Sequence, residues 1–349
     1  MDKNYLNKIL KKAQEFDASD IHLNPNLPPY IRTRGDIKVL EGFKELTGRE
    51  ILDIALTTMN KYAQQNFINN LQVDYVYTNP ENNIRYRTNT FKSQMGISIA
   101  LRQLSGKIML LEESGFPKIF QKIAILDKGL ILVCGPSGSG KSTTLASMID
   151  YINRNLERHI ITLEDPIEYI HSTKKSLIAQ REVGESVKNF TEGLIGALRE
   201  DPDVVLIGEM RDKETIKMAL TAAETGHLVL STLHTMSASK TIDRIIDSYD
   251  ATEKGIIRGM LSTSLQAIIS QRLFKRANNE GRVASFEILI GTKGIRNMIR
   301  EDKVYQIDTM IQTGSKYGMV SMEAYTEELL KEGIVDKQDA IAKLSKVEN

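Results

Sequence analysis

The chain has 349 residues, of which 41% are hydrophobic, so it is long enough for two or three domains with a sizeable core. Its 46 Lys and Arg residues balance 45 Asp and Glu residues, and the net charge of +1 provides no global field to attract nucleic acid or an anionic membrane. The one cysteine, Cys134, excludes an intramolecular disulfide and any multi-cysteine zinc site. No segment approaches the roughly 18 apolar residues of a membrane span, and we expect a cytoplasmic protein.

Residues 1–102 predict a mixed domain of helices and strands that has no phosphate-binding motif. A first helix is indicated by apolar residues at helical spacing, followed by short alternating segments at 30–40 and 84–91 that are typical of strands. The apolar face of that helix comprises Leu6, Ile9, Leu10 and Ala13. Residues 103–118 contain two glycines and Pro117, and this composition predicts a linker between two domains.

Residues 119–349 predict a second, larger α/β domain. Four short apolar runs alternate with helical stretches, and these runs read LILVC, HIITL, DVVLI and LVLST. Runs of this kind, nearly free of charge, are typical of parallel strands buried on both faces by helices. From about residue 252 the pattern is mainly helical, interrupted by a predicted strand or hairpin at RVASFEILIG, residues 282–291.

The segment GPSGSGKSTT, residues 135–144, follows the run LILVC and opens a predicted helix, which is the context of a phosphate-binding loop. Its glycines let backbone amides turn inward around phosphates. Lys141 would neutralise the β- and γ-phosphates, Ser142 would offer its hydroxyl to Mg²⁺, and Thr143 would lie beside the α-phosphate. The predicted ATP-binding residues of the loop are Gly135, Ser137, Gly138, Ser139, Gly140, Lys141, Ser142 and Thr143. The alternative is a glycine-rich turn that only caps a helix.

Hydrolysis also requires a carboxylate that directs the attacking water, and two acidic positions compete for this task. Glu164 and Asp165 follow the run HIITL, where Pro166 is expected to start a helix, and Glu209 follows the run DVVLI. Both acidic positions are predicted at the carboxyl edge of the sheet, where open α/β folds bind ligands. For each acid, a helix cap or an exposed surface position is the alternative.

Two histidines flank the run LVLST, His227 before it and His234 after it. His234 is a candidate sensor of the γ-phosphate. His227 is a candidate nucleotide-binding residue, with a satisfied structural histidine as the alternative. Two histidines seven residues apart, without a third ligand nearby, are a poor metal site.

Taken together, these motifs resemble the secretion ATPase family, hexameric RecA-like motors of type IV pili and type II secretion. EDPIE resembles its Asp box, GEMRD its Walker B motif, in which Gly commonly replaces the usual Asp, and TGHLVLSTLHT its His box. The resemblance implies a RecA-like P-loop ATPase core, a smaller PAS-like α+β N-terminal domain and a helical C-terminal region. It implies that Glu209 is the catalytic glutamate and that Glu164 helps to hold Mg²⁺ and water.

The N-terminal segments ASDIHL, RYRTNTF and ALRQL also match the family, which implies that Arg87 and Arg102 act on the γ-phosphate. Arg85 is a weaker candidate. Arg211 is expected to pair with a carboxylate at a subunit interface. Segment 103–118 would be the hinge on which the two domains close over ATP.

Two features favour the pilus retraction branch of the family. One cysteine cannot build the four-cysteine zinc insertion that assembly and type II secretion ATPases usually carry, and GIRNMIRE at 294–301 resembles the C-terminal element AIRNLIRE of that branch. On a helix, its Ile295, Met298 and Ile299 would face inward and Arg296 outward. The alternative is an amphipathic helix that only covers the sheet.

The resemblance implies a homohexamer that acts on an inner-membrane platform protein from the cytoplasmic face, with a second pilus ATPase as a further partner. Alternatives are the ATPase of a related secretion, conjugative or assembly system, a nucleic-acid translocase, and a switch that holds ATP without hydrolysing it. The translocase is disfavoured because the charge is near zero and RLFKR, residues 272–276, is a short basic segment.

Overall fold

The computed structural model describes residues 3–33, 35–104, 106–113, 115–278 and 280–344. The chain divides into two compact units, residues 1–107 and 108–349, and the division falls inside the predicted linker segment. No helix among the described residues is both long and apolar enough to cross a membrane.

Unit 1 is built around an antiparallel sheet of six strands in its described part, in the order β3-β2-β1-β6-β5-β4. The predicted first helix is present, and its four apolar residues are buried in the core of this unit. The second helix begins with a capping box in which Thr47 and Glu50 bind each other's backbone amides, the signature T-x-x-E of a helix start. The elements are α1 Lys3–Glu15, β1 Asp20–Leu23, β2 Tyr30–Thr33, β3 Asp36–Val39, α2 Gly48–Thr58, α3 Lys61–Asn70, β4 Gln72–Thr78, β5 Arg85–Ser93 and β6 Gly96–Gln103.

Unit 2 contains a sheet of seven strands among the described residues, in the order β13-β12-β7-β11-β10-β8-β9. The four predicted apolar runs are β7, β8, β10 and β11, and they pair in parallel. The strands and first helices are α4 Ile119–Ala124, β7 Gly129–Cys134, α5 Lys141–Asn155, β8 His159–Glu164, β9 Leu177–Glu182, α6 Phe190–Ala197, β10 Val204–Ile207, α7 Lys213–Glu224 and β11 Leu228–Leu233. The later elements are α8 Ala238–Asp247, α9 Ala251–Ser264, β12 Leu265–Lys275, β13 Arg282–Ile290, α10 Lys293–Arg300, α11 Ile307–Thr313, α12 Met322–Lys331 and α13 Lys337–Leu344.

Helices cover both faces of the large sheet and enclose two hydrophobic clusters. Alternate side chains of one strand enter opposite clusters, because successive residues point to opposite faces. On β7, Leu130, Leu132 and Cys134 pack on one side, and Ile131 and Val133 pack on the other. This two-sided burial explains why the parallel strands read as continuous apolar runs.

Three details of unit 2 differ from the expectations. The region after residue 252 is less helical than predicted, since β12 is an eleven-residue strand that pairs in parallel with β7. No helix starts at Pro166, because the following segment is tied to β9: Glu182 accepts a hydrogen bond from the Ile167 amide at 3.0 Å, and Gln180 from the His171 amide at 2.7 Å.

The third difference concerns the helix of GIRNMIRE, which is α10. Ile295 and Ile299 are buried and Met298 packs beside them, as predicted. Arg296, however, does not face outward. Its guanidinium donates to the carbonyl oxygens of Gly291 at 2.8 Å and Thr263 at 2.9 Å and to the side chain of Gln266 at 3.0 Å, so it fastens α10 to the end of α9 and to β12.

Candidate nucleotide and catalytic site

The phosphate loop lies between β7 and α5, as predicted from its sequence. Gly135, Gly138 and Gly140 have φ values of 147°, 75° and 90°, a region of backbone space that favours glycine. Gly140 is the residue before the first helical turn. The loop therefore leads into a helix N-terminus, where free backbone amides favour an anion.

The side chains of the loop differ widely in exposure. Ser137 is exposed, whereas Ser139 is buried, and its hydroxyl has no hydrogen-bond partner among the described residues. Lys141 is also buried, and its ammonium group donates to the carbonyl oxygens of Gly135 at 2.9 Å and Pro136 at 3.1 Å. Burial lowers the pKa of Lys141 because it disfavours the charged form. A buried cation and a buried hydroxyl thus lie together in the loop, which suits a polyanionic ligand.

Two further loop residues open the helix. Ser142, the second residue of α5, is half-buried. The Thr143 hydroxyl, predicted to lie beside the α-phosphate, is 2.8 Å from the hydroxyl of Tyr169, a buried residue of the segment after β8. This contact joins the phosphate loop to the segment that carries the Asp box.

Glu164 is the last residue of β8 and lies at the carboxyl edge of the sheet. One of its oxygens accepts hydrogen bonds from Thr162 at 2.7 Å and from the side chain of Gln180 at 3.1 Å. Burial raises the pKa of Glu164, since desolvation outweighs these hydrogen bonds. A nearby cation would stabilise the ionised form of this buried carboxylate. Its oxygens are hard donors of the kind that Mg²⁺ prefers.

Glu209 follows the end of β10 by two residues, and its side chain is 20% exposed. Its two oxygens have different partners: the guanidinium of Arg211 lies 2.8 Å from one, and Nε2 of His234 lies 3.2 Å from the other. Burial opposes ionisation of Glu209, but these two contacts outweigh it and hold its pKa below the usual range. The structure thus brings together Glu209 and His234, both singled out from sequence, and pairs Arg211 with a carboxylate of its own chain.

Gly208 lies close to the backbone of the neighbouring strand. A Cβ atom at Gly208 would lie 3.3 Å from the carbonyl oxygen of Leu163 and 3.4 Å from Cα of Glu164, on the neighbouring strand. The Gly208 amide donates to that same carbonyl of Leu163 at 2.7 Å. A side chain at this position would press on β8, and the acid of this strand end is Glu209, one residue later.

His227 is not brought to this site. It lies at the start of β11, where its carbonyl accepts a hydrogen bond from Gly129, the first residue of β7. The phosphate loop begins at the other end of these strands, and five residue steps of about 3.3 Å separate the two edges by roughly 16 Å. The prediction that His227 binds the nucleotide of this loop is not supported within the chain. Its ring nitrogen Nδ1 is instead 3.0 Å from the carbonyl of Ala222, which fits the structural alternative.

Arg87 and Arg102 lie in unit 1 and are direct partners across β5 and β6. Both side chains are exposed, and each has an acidic neighbour: Arg102 donates to Asp20 at 2.8 Å, and Nε of Arg87 lies 4.0 Å from Asp74. Directly opposed residues of antiparallel strands project from the same face, so two permanent cations stand side by side. Arg85, the weaker candidate, is at the start of β5.

One residue of the site was missed by sequence reasoning because β12 was missed. Gln271 of β12 is buried, and its side-chain oxygen accepts a hydrogen bond of 2.6 Å from Thr144, in the first turn of α5. The signal was present in the sequence: two β-rich runs, AIIS and VASFEILI, flank the turn-forming segment ANNEG, which is the pattern of a hairpin.

Comparison with known proteins identifies the family. The family model described as type II/IV secretion system protein matches residues 2–338. The chain belongs to this family. The type IV pilus retraction ATPase PilT of Pseudomonas aeruginosa is 45% identical over 344 residues, 99% of each chain, and a twitching motility protein of Neisseria gonorrhoeae is 48% identical over 312 residues, 89% of this chain and 83% of that protein. A crystal structure of the pilus retraction motor PilT with bound ADP matches with a TM-score of 0.88 and 44% identity, over 96% of this chain and 95% of that one.

These similarities confirm the predicted fold class and the resemblance to the retraction branch of the secretion ATPases. The protein is an ATPase with a RecA-like core, and it binds nucleotide. Two oxygen donors also fit Mg²⁺ as the companion of the nucleotide: the Ser142 hydroxyl in the first turn of α5 and the Glu164 carboxylate at the end of β8.

Replacement of Arg211 by Gln is expected to shift the pH dependence of ATP turnover. Removal of the guanidinium leaves the burial of Glu209 less opposed, so its pKa rises and the carboxylate is protonated at higher pH. The acid limb of the kcat profile should therefore move to higher pH. Arg211→Lys, which keeps the charge, should move it less. Measured kcat from about pH 3.5 to 8 checks this, because the parent limb lies below the ordinary glutamate pKa, and an unmoved acid limb would show that Arg211 does not control Glu209.

Proposed function

We propose that this protein is a hexameric motor that couples ATP hydrolysis to the retraction of type IV pili. The observation that carries the proposal is the similarity to the retraction ATPase of Pseudomonas aeruginosa across 99% of both chains. The phosphate loop and the paired Glu209 and His234 at the same edge of the sheet support it, because this edge is where open α/β sheets bind ligands.

The proposed catalytic roles follow from the contacts of each residue. The loop residues 135–143 bind the phosphates, with Lys141 turning its ammonium group from the loop carbonyls to the β- and γ-phosphates. Glu209 accepts or directs the proton of the attacking water, and its low pKa keeps it ionised at neutral pH. His234, which is half-exposed beside Glu209, senses the γ-phosphate.

Glu164 and Ser142 are the proposed ligands of Mg²⁺. The ion would neutralise charge on the β- and γ-phosphate oxygens when it is bound. The raised pKa of Glu164 is consistent with a carboxyl group that is more stable as an anion beside a cation. Gln180 and Thr162 donate to one oxygen of Glu164, and with a backbone hydrogen bond from Glu168 they offset part of the rise in its pKa that burial causes.

The motor is proposed to act at the cytoplasmic face of the inner membrane through a platform protein of the pilus machinery, with a second pilus ATPase as an additional partner. Closure around ATP requires contacts that differ between nucleotide states, since a ligand shifts a conformational equilibrium only by its differential affinity. Arg87 and Arg102 are the proposed source of that difference, because they engage the γ-phosphate and lose it after hydrolysis.

The test is a count of surface pili and a measurement of twitching speed in cells that carry Glu209→Ala at the native locus. Abundant pili on non-motile cells are expected, since assembly continues while retraction stops. Glu157→Ala, an exposed acid at the opposite edge of the sheet, is the matched control and should leave both readouts unchanged. Cells without pili would assign the protein to assembly, and unchanged pili would assign it to another secretion system.

A further inference from the structure

Strand β12 places Gln271 directly under the phosphate loop. Its neighbour Ser270 pairs with Cys134, the last residue of β7, so Gln271 stands where β7 turns into the loop. Only 3% of Gln271 is exposed. The Thr144 hydroxyl, which is fully buried, donates to its side-chain oxygen at 2.6 Å. Gln271 is thus the buried polar partner of the helix that the loop opens.

The glycines at both ends of the loop pack against the same residue. A Cβ atom at Gly135 would lie 2.4 Å from the backbone oxygen of Gln271, and a Cβ atom at Gly140 would lie 2.7 Å from its side-chain nitrogen. The backbone oxygen of Gln271 leaves no room for a Cβ atom at Gly135, whereas the contact at Gly140 is with the end of a flexible side chain; both positions also have φ angles that favour glycine. Gln271 therefore contacts the start of the loop, its end and the first helical turn.

We propose that Gln271 is a positioning residue that holds the phosphate loop in its nucleotide-binding shape. The inference rests on the proposed binding of ATP at this loop. Its amide oxygen anchors the first turn of α5 through Thr144, and its amide nitrogen lies against Gly140, where the loop enters the helix. A loop ordered before binding loses less conformational freedom on binding, and this raises affinity.

The strand that carries Gln271 is itself held on both sides. Ser270 links it to the two neighbouring strands: its hydroxyl is 3.0 Å from the thiol of Cys134 on β7 and donates to Glu287 of β13 at 3.3 Å. Helix α13 also binds the strand, since the Lys343 ammonium group donates to the Leu273 carbonyl at 2.8 Å. The strand therefore fixes the position of Gln271, and the contacts of its side chain in turn restrain the loop.

Gln271→Met tests the proposal, because methionine is unbranched and of similar length but lacks the amide. We expect the Kd for ADP and the KM for ATP to rise about tenfold, as for loss of one buried hydrogen bond, while kcat changes less than about threefold. Thr144→Val should act similarly. The double variant should be no weaker than either single variant, because both remove the same contact.

Gln266→Met is the matched control, a second glutamine of β12 with two side-chain hydrogen bonds at the opposite end of the strand. It should lower the thermal midpoint at least as much as Gln271→Met while leaving Kd and KM unchanged. An unchanged Kd in Gln271→Met, or an equal rise in Gln266→Met, would overturn the proposal. A parent protein that binds no ADP would overturn the proposed function as well, so the two failures are distinguishable.

Discussion

Glu209→Gln is expected to reduce ATP turnover by about 10²- to 10⁴-fold, the usual contribution of a positioned general base. Glutamine preserves the shape of the side chain and can still accept a hydrogen bond from Arg211, but it cannot take a proton from water. Binding of ADP should change little, because the phosphate loop residues are untouched. Phosphate release at saturating ATP and the Kd for ADP measure the two effects separately.

Two variants complete this experiment. Glu157→Gln removes an exposed acid at the other edge of the sheet and should turn over ATP at the parent rate. Glu164→Gln addresses the competing carboxylate. If Glu209→Gln retained the parent rate and Glu164→Gln lost it, the catalytic base would be Glu164. Its pKa, raised by burial, would then be that of the group that takes the proton from water. Loss in both variants, with a raised Mg²⁺ requirement in Glu164→Gln alone, fits the proposed division of roles.

The parts of unit 2 that could be predicted from sequence are those governed by local chemistry. Glycines at 135, 138 and 140 have the positive φ angles expected of a phosphate loop, and the apolar runs are the parallel strands. Glu209 and His234 could each be placed at a strand end from their position after an apolar run. Their mutual contact depends on β10 and β11 being neighbours in the sheet, and no local pattern encodes strand order.

The residues that escaped prediction depend on contacts distant in sequence. Arg296 has the polarity of a surface residue, yet it binds carbonyls at the end of α9, more than 30 positions away. Pro166 suits a helix start, but side chains of β9 accept hydrogen bonds from the backbone amides that follow it. Gln271 lies in a strand that alternates weakly, and its partner Thr144 is 127 positions away in sequence. Such contacts follow from the packing of whole elements, so propensity alone does not reveal them.

Arg87→Gln and Arg102→Gln are expected to have the largest effects on the reaction, about 10³- to 10⁵-fold for a residue that acts as an arginine finger. Two cations side by side on one sheet face repel each other, and Asp20 and Asp74 offset part of that repulsion. A γ-phosphate would offset it further. Single-turnover rates with bound ATP measure the effect apart from nucleotide affinity. Lys92→Gln, an exposed cation on the same strand, should leave the rate unchanged.

The pair formed by Arg102 and Asp20 allows a structural role to be separated from a catalytic one. Asp20→Asn removes the ion pair but leaves the guanidinium, so turnover should persist if Arg102 acts on phosphate. An equal loss in Asp20→Asn and Arg102→Gln would mean that Arg102 serves the packing of β1 against β6 instead. Arg102→Lys keeps the charge but loses the planar fork that matches phosphate oxygens, and it should recover only part of the rate. A full recovery would reduce the role of Arg102 to that of a point charge, and its geometry would then carry no catalytic meaning.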